Sequence, residues 1–117
     1  MLNKTLKNLI ALSCNVRVYV PTTFEVDQPM QTTKYVNETL ELLSTFFGGA
    51  TQHNAFGAWK ALTGAIIKEK VVICESFCDQ NGLNEFIESI YDHCLYLKTE
   101  LRQESIALEV NGSLYLI

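Results

Sequence analysis

The pair Gly48-Gly49 sets the tightest limit on what this chain can fold into, because it separates two stretches of different period. Before it, Val36, Leu40, Leu43 and Phe47 recur at helical spacing while Glu38 and Glu41 fall on the opposite side, which predicts an amphipathic helix. After it, Ala50 to Trp59 reads as a strand, with Thr51, His53, Ala55, Gly57 and Trp59 on one face and Gln52, Asn54, Phe56 and Ala58 on the other. Glycine reaches the left-handed backbone conformation that ends a helix, so the helix stops at this pair and the chain returns as a strand. A phosphate-cradling glycine loop runs from a strand into the positive end of a helix. Gly48-Gly49 instead follows the negative end of a helix, so its role is architectural.

The elements around this junction follow from the same reading. Asn15 to Val20 alternates Val16, Val18 and Val20 with Arg17 and Tyr19, which predicts a first strand, and Pro21 to Gln31 reads as a loop. Thr32 or Thr33 is placed to cap the helix. Lys60 to Gly64 is a turn, and Ala65 to Phe77 a third strand centred on Val71-Val72-Ile73. Asp79 to Gly82 reads as a turn before the longest helix, Leu83 to Leu101, where Phe86, Ile87, Ile90, Cys94, Leu97 and Leu101 keep helical spacing. Ile106 to Val110 and Ser113 to Ile117 flank Asn111-Gly112, the dipeptide best suited to a two-residue hairpin turn. At the start, Leu2, Leu6, Leu9 and Ile10 share one side of a short helix expected to be a packed or interface element.

The order β, α, β, β, α, β defines an α+β chain on the ferredoxin-like βαββαβ plan, a two-layer sandwich with an N-terminal helix and a C-terminal hairpin. With 117 residues and 48% hydrophobic content, residues 1–117 form a single domain with ample core. The centre of the third strand is apolar on both faces, whereas helices cover only one face of a two-layer fold. The second face therefore calls for the N-terminal helix or a second copy, and a homo-oligomer is expected.

Nine Lys and Arg against thirteen Asp and Glu, a net charge of −4, exclude a binder of duplex nucleic acid, which needs a basic stripe. No stretch reaches the length of a membrane span, and the apolar run after Lys4 and Lys7 is too short for a secretory signal. Cys14, Cys74, Cys78 and Cys94 are accordingly read as reduced and the protein as cytoplasmic. Cys74 and Cys78 on one extended strand stand about 13 Å apart, and no second ligand pair completes a metal site, so neither metal nor cofactor is expected.

A ligand site is expected on the sheet. His53 and Trp59 share a face and can join Arg17 and Tyr19 of the first strand and Glu69 or Glu75 of the third. A stacking ring, a cation and hydrogen-bonding groups are the parts that hold a base and a phosphate. The site residues are taken as Arg17, Tyr19, His53, Trp59 and Arg102, the two arginines being the only two in the chain. A small anionic ligand such as a nucleotide signal is the expected occupant. The competing reading makes Trp59 and Tyr19 core or interface aromatics. His53, His93, Cys74, Cys78, Cys94, Glu69 and Glu75 could serve catalysis, but no spacing singles them out and no catalytic residue is assigned. His93, beside Asp92, is expected on the solvated face of its helix.

The run Phe47-Gly48-Gly49-Ala50-Thr51, then Gly57-Ala58-Trp59, Gly64 and Glu69 with Val71-Val72-Ile73, resembles a pattern of small uncharacterised proteins of bacteria, phages and mobile elements. The resemblance spans roughly the central third of the chain and implies a ferredoxin-like fold, with no catalytic residues to carry over. By analogy of size and setting it implies a phage counter-defence protein. The functional expectation is thus a non-enzymatic protein that sequesters a small ligand, with a protein-binding inhibitor of host defence or a small hydrolase of nucleotide signals as alternatives.

Overall fold

The computed structural model describes residues 4–24, 28–29 and 32–117. In chain order the elements are α1 (Lys4–Lys7), β1 (Cys14–Pro21), β2 (Thr23–Phe24), β3 (Gln28–Pro29), α2 (Thr33–Phe47), β4 (Thr51–Lys60), β5 (Ile66–Cys78), α3 (Gln80–Glu100), β6 (Ala107–Val110) and β7 (Ser113–Leu116). β4, β5, β1, β6 and β7 lie side by side in that order in a five-stranded antiparallel sheet. β5 thus sits between the two strands joined by α2, and β1 between the two joined by α3. The class is α+β, with α2 and α3 packed on one face of the sheet.

Alternation in β1 decides which face they cover. Cys14, Val16, Val18 and Val20 are buried under the helices, while Asn15, Arg17 and Tyr19 point to the other side. The buried set meets Leu43 of α2, Ile90, Cys94 and Leu97 of α3, and Leu108 of the neighbouring β6 with Ile106 just before it. Cβ-branched valines suit the pleat, and the helices supply leucine and isoleucine at the expected spacing. Phe46 stacks on Phe86 with ring centroids 4.3 Å apart, joining the two helices at one end.

The junction that limited the sequence behaves as read, with one refinement. Gly48 alone takes the left-handed conformation, φ +89°, and its N–H donates to the Ser44 carbonyl. Asn111 and Gly112 both have positive φ, 51° and 84°, as the two-residue hairpin requires.

Four local expectations are corrected. The stretch from Asp79 to Gly82 is the start of α3 and not a turn before it, because the Asp79 side chain accepts from the Gly82 N–H at 2.7 Å and caps the helix early. Thr32 stands at the start of α2 but makes no capping bond through its side chain. The N-terminal helix is reduced to Lys4–Lys7 with no buried residue, and Leu9 and Ile10 beyond it are exposed, so it is not a packed part of the core. His93 is buried against α2, since Tyr35 and Thr39 turn polar atoms inward there. The expected loop Pro21–Gln31 carries β2 and β3, and its remaining residues from Glu25 to Asp27, Met30 and Gln31 lie outside the described residues.

Candidate functional site

The uncovered face of the sheet gathers the polar residues of three strands. Register sets Arg17 opposite both Glu75 and Glu109, Thr51 opposite Glu75, and His53 and Tyr19 opposite Ile73. These side chains share one face because directly opposed residues in an antiparallel pair point the same way. The same parity brings Glu69 there, opposite Gly57.

Glu75 is the hub. Its Oε2 accepts from Arg17 Nε at 2.6 Å and from Asn15 Nδ2 at 2.9 Å, and its Oε1 lies 2.8 Å from His53 Nε2. Burial by itself pushes this carboxyl up, but the bonds from Arg17, His53 and Asn15 outweigh it and hold it down at about 2. Glu75 is therefore a carboxylate at neutral pH and has no proton to give. It follows that His53 Nε2 carries the hydrogen of that bond. The Arg17 guanidinium is pushed up by its bond to Glu75. It spends Nε there, is 37% exposed, and carries its remaining N–H donors on the terminal nitrogens, which also face the Tyr19 hydroxyl.

Tyr19 stands next to this cluster and donates to Glu109 Oε1 at 2.9 Å. Burial, followed by that hydrogen bond, raises its phenol. A cleft of about 440 Å³ opens beside Glu75, lined by Leu12, Phe47, the two glycines, Ala50, Thr51, Ser76 and Phe77. The glycine pair and Thr51 form its backbone wall, so the helix-to-strand junction shapes the entrance to the cluster.

Of the expected site residues, Arg17 and His53 are brought together through Glu75, and Tyr19 adjoins them. Trp59 is not part of that cluster within one chain. It lies six residues beyond His53 on β4, about 20 Å along the strand, where its indole N–H donates to Glu69 at 3.3 Å. There it lines a second cleft of about 440 Å³ with Glu69, Gln103, Glu104 and Ser105. Arg102 is exposed in the α3–β6 connection, φ +49°, next in sequence to that lining. Sequence reasoning placed Glu75 among the polar groups of this face without giving it a central role, and it missed Asn15 and Glu109. The available signal was parity, since a carboxylate within the apolar run of β5 and opposite an arginine is held by design of the register.

Among the described residues no group of three metal-ligating side chains converges. The largest cleft described, about 570 Å³, lies on the helical side between α3 and the β6–β7 hairpin and is lined chiefly by apolar side chains such as Leu83, Ile87 and Leu108, with no charged side chain among them. No helix among these residues is long and apolar enough to cross a membrane.

No protein-family model matches the chain, and no curated protein sequence matches it. Solved structures do. A phage SAM lyase in complex with S-methyl-5'-thioadenosine is 18% identical, with a TM-score of 0.66 over 96% of this chain and 94% of that one. A phage SAM lyase in the apo state is 19% identical, with a TM-score of 0.64 over 90% of this chain and 88% of that one. At these identities the likeness establishes a shared fold along nearly the whole length of both chains.

Proposed function

We propose that this protein binds S-adenosylmethionine on the open face of its sheet and cleaves it as a lyase, in a phage anti-defence role. The observation that carries the reading is the end-to-end likeness to a phage SAM lyase. The sheet order, with β5 between β1 and β4 and β1 between β5 and β6, is read as the ferredoxin-like plan extended by one hairpin arm.

The charge of the face supports a cationic ligand. Glu69, Glu75 and Glu109 share it with Arg17 alone among the charged residues that the register places there. A nucleotide bearing several phosphates would meet three carboxylates, whereas a sulfonium meets a field of the right sign. The one guanidinium suits the single carboxylate of S-adenosylmethionine, and Trp59 suits its adenine. Because Trp59 and the Glu75 cluster lie far apart on one chain, the site is completed between copies of a homo-oligomer.

The chemistry also fits a chain without a catalytic signature. A sulfonium is its own leaving group: when its bond to the γ-carbon of the amino-acid portion breaks, both electrons stay on sulfur and neutral S-methyl-5'-thioadenosine departs. The four-carbon remainder closes on its own carboxylate or loses a proton. Closure on the carboxylate needs no nucleophile, metal or oxidant from the protein, only a site that orients the substrate and excludes water, whereas the elimination route also needs a base to take the proton.

The test is incubation of purified protein with S-adenosylmethionine, followed by mass spectrometry of the small molecules. Formation of S-methyl-5'-thioadenosine by the wild type, reduced at least tenfold in Arg17→Ala, supports the lyase. Stoichiometric retention of unchanged ligand instead makes the protein a sequestering one, and neither binding nor turnover removes the proposal.

A further inference from the structure

We propose that Cys14 and Cys78 form a redox-active dithiol, a thiol–disulfide exchange site that ties the start of β1 to the end of β5. The two residues are paired directly across the antiparallel ladder. Asn15 turns its N–H and C=O toward Asn111 on the β6 side. Its neighbour Cys14 therefore turns its own backbone groups toward β5, which makes Cys14 and Cys78 a hydrogen-bonded pair with Cα atoms about 5.5 Å apart. That separation is the preferred span of a disulfide, and both side chains point to the same, helical face.

The other two thiols lack this arrangement. Cys74 is opposite Val18 and Gln52, and Cys94 lies on α3; both are fully enclosed, and burial pushes each up to about 12. Cys14 lies under the exposed Gln80, with its Sγ 3.5 Å from Gln80 Oε1. Gln80 is thus the exposed side chain next to the pair, and because Cys14 and Cys78 are 4% and 3% exposed, the oxidant reaches them when this strand end opens locally. The Cys78 thiol is raised by burial and then by the nearness of Cys14 and Asp79, so exchange gains speed as the solution becomes alkaline.

The oxidant is a small disulfide. The Cys14 thiolate attacks one sulfur of glutathione disulfide, which releases one glutathione and leaves a mixed disulfide. The Cys78 sulfur then attacks the Cys14 sulfur and releases the second glutathione. Two protein S–H groups are lost and two glutathione thiols are formed. The link closes the segment from residue 14 to residue 78 and restricts the unfolded chain, so the oxidised protein melts at a higher temperature. It also fixes the strand end from which Asn15 reaches Glu75.

The experiment treats the full chain with excess glutathione disulfide at pH 8, then counts thiols in denaturant and maps the peptides. The expected result is a fall from four titratable thiols to two, a loss of two hydrogens in intact mass, a single Cys14–Cys78 link, and a melting temperature that returns to its starting value with dithiothreitol. Cys78→Ala is expected to stop at the mixed disulfide on Cys14. Four thiols persisting, a link that includes Cys74 or Cys94, or links between chains would overturn the assignment, and the mapped wild type decides this even if the variant fails to fold. None of these readouts depends on S-adenosylmethionine.

Discussion

Glu75 concentrates more of the site's organisation in one side chain than any other residue of the open face. It is nearly buried yet charged, which is tolerable only because Arg17, His53 and Asn15 all donate to it. Removing one donor therefore leaves a partly uncompensated carboxylate. Arg17→Ala is expected to cost about 1–2 kcal/mol, below the usual figure for a buried pair because the guanidinium is more than a third exposed. Since the folded carboxyl titrates at about 2, below its unfolded value, its stabilisation is complete above the ordinary carboxylate range and is lost as pH falls toward 2. Urea unfolding of the wild type and Glu75→Gln between pH 2 and 6 checks this, and the wild-type curve is expected to fall more steeply with acid. His93 works in the opposite charge state. The Thr39 hydroxyl spends its one hydrogen on the Tyr35 carbonyl at 2.7 Å, so the His93 Nε2 that lies 2.8 Å from it must be a donor. Burial holds this imidazole below its ordinary value, only partly offset by Glu38, so it stays neutral in the folded chain. Stability is then full above about pH 6.5 and declines as pH drops below it, because the unfolded chain takes up the proton first. His93→Gln keeps an N–H for Thr39 and is expected to flatten the stability profile between pH 5 and 7.

At the scale of elements, what the sequence could and could not disclose has a common physical cause. Gly48, the Asn111-Gly112 turn, the β1 alternation and the stripe of α3 were legible because each depends on the conformation or periodicity of a few neighbouring residues. The burial of His93 was not, since it depends on Thr39 and Tyr35 of another helix. Nor was the separation of Trp59 from Arg17: both share a face by parity, but register and strand length decide the distance. The boundary at Asp79 was missed because Gly82 looks like a turn residue, and only the bond to Asp79 shows it to be the first turn of a helix. The two glycines of the junction offer a direct comparison. Gly48 has φ +89° and Gly49 does not, and an added Cβ meets nothing within 4 Å at either. Gly48→Ala is therefore expected to lose about 1 kcal/mol from backbone strain alone, and Gly49→Ala to be neutral or slightly stabilising. Thermal unfolding of the two variants checks it, and equal losses would show that space and not φ limits the junction.

Among the described residues one sheet face has no helical layer, and that face is polar only in part. Val71 and Ile73 are half-buried on it, and Phe77 and Leu114 are 55% and 58% exposed, close to the charged cluster of Arg17, Glu75 and Glu109. Single exposed apolar side chains are ordinary, but Phe77 and Leu114 flank the charged cluster on both sides of an uncovered sheet, as apolar residues do around a polar patch at an interface. Leu9 and Ile10 of the N-terminal stretch are themselves exposed and do not supply that layer. A second copy laid against this face would cover the apolar residues and could carry a Trp59 cleft toward a Glu75 cluster, the two halves that one chain holds apart. The expected result is that native mass spectrometry of the wild type gives a multiple of the 13.2 kDa protomer. Phe77→Glu and Leu114→Glu should each reduce it to the single-chain mass with an unchanged helical circular dichroism signal. If the site is shared, conversion of S-adenosylmethionine per protomer should fall as the protein is diluted below the dissociation point, and in both variants it should be lost at every concentration. Conversion by a stable single chain would place the whole site on one protomer and remove the need for a partner, while leaving the lyase reading in force.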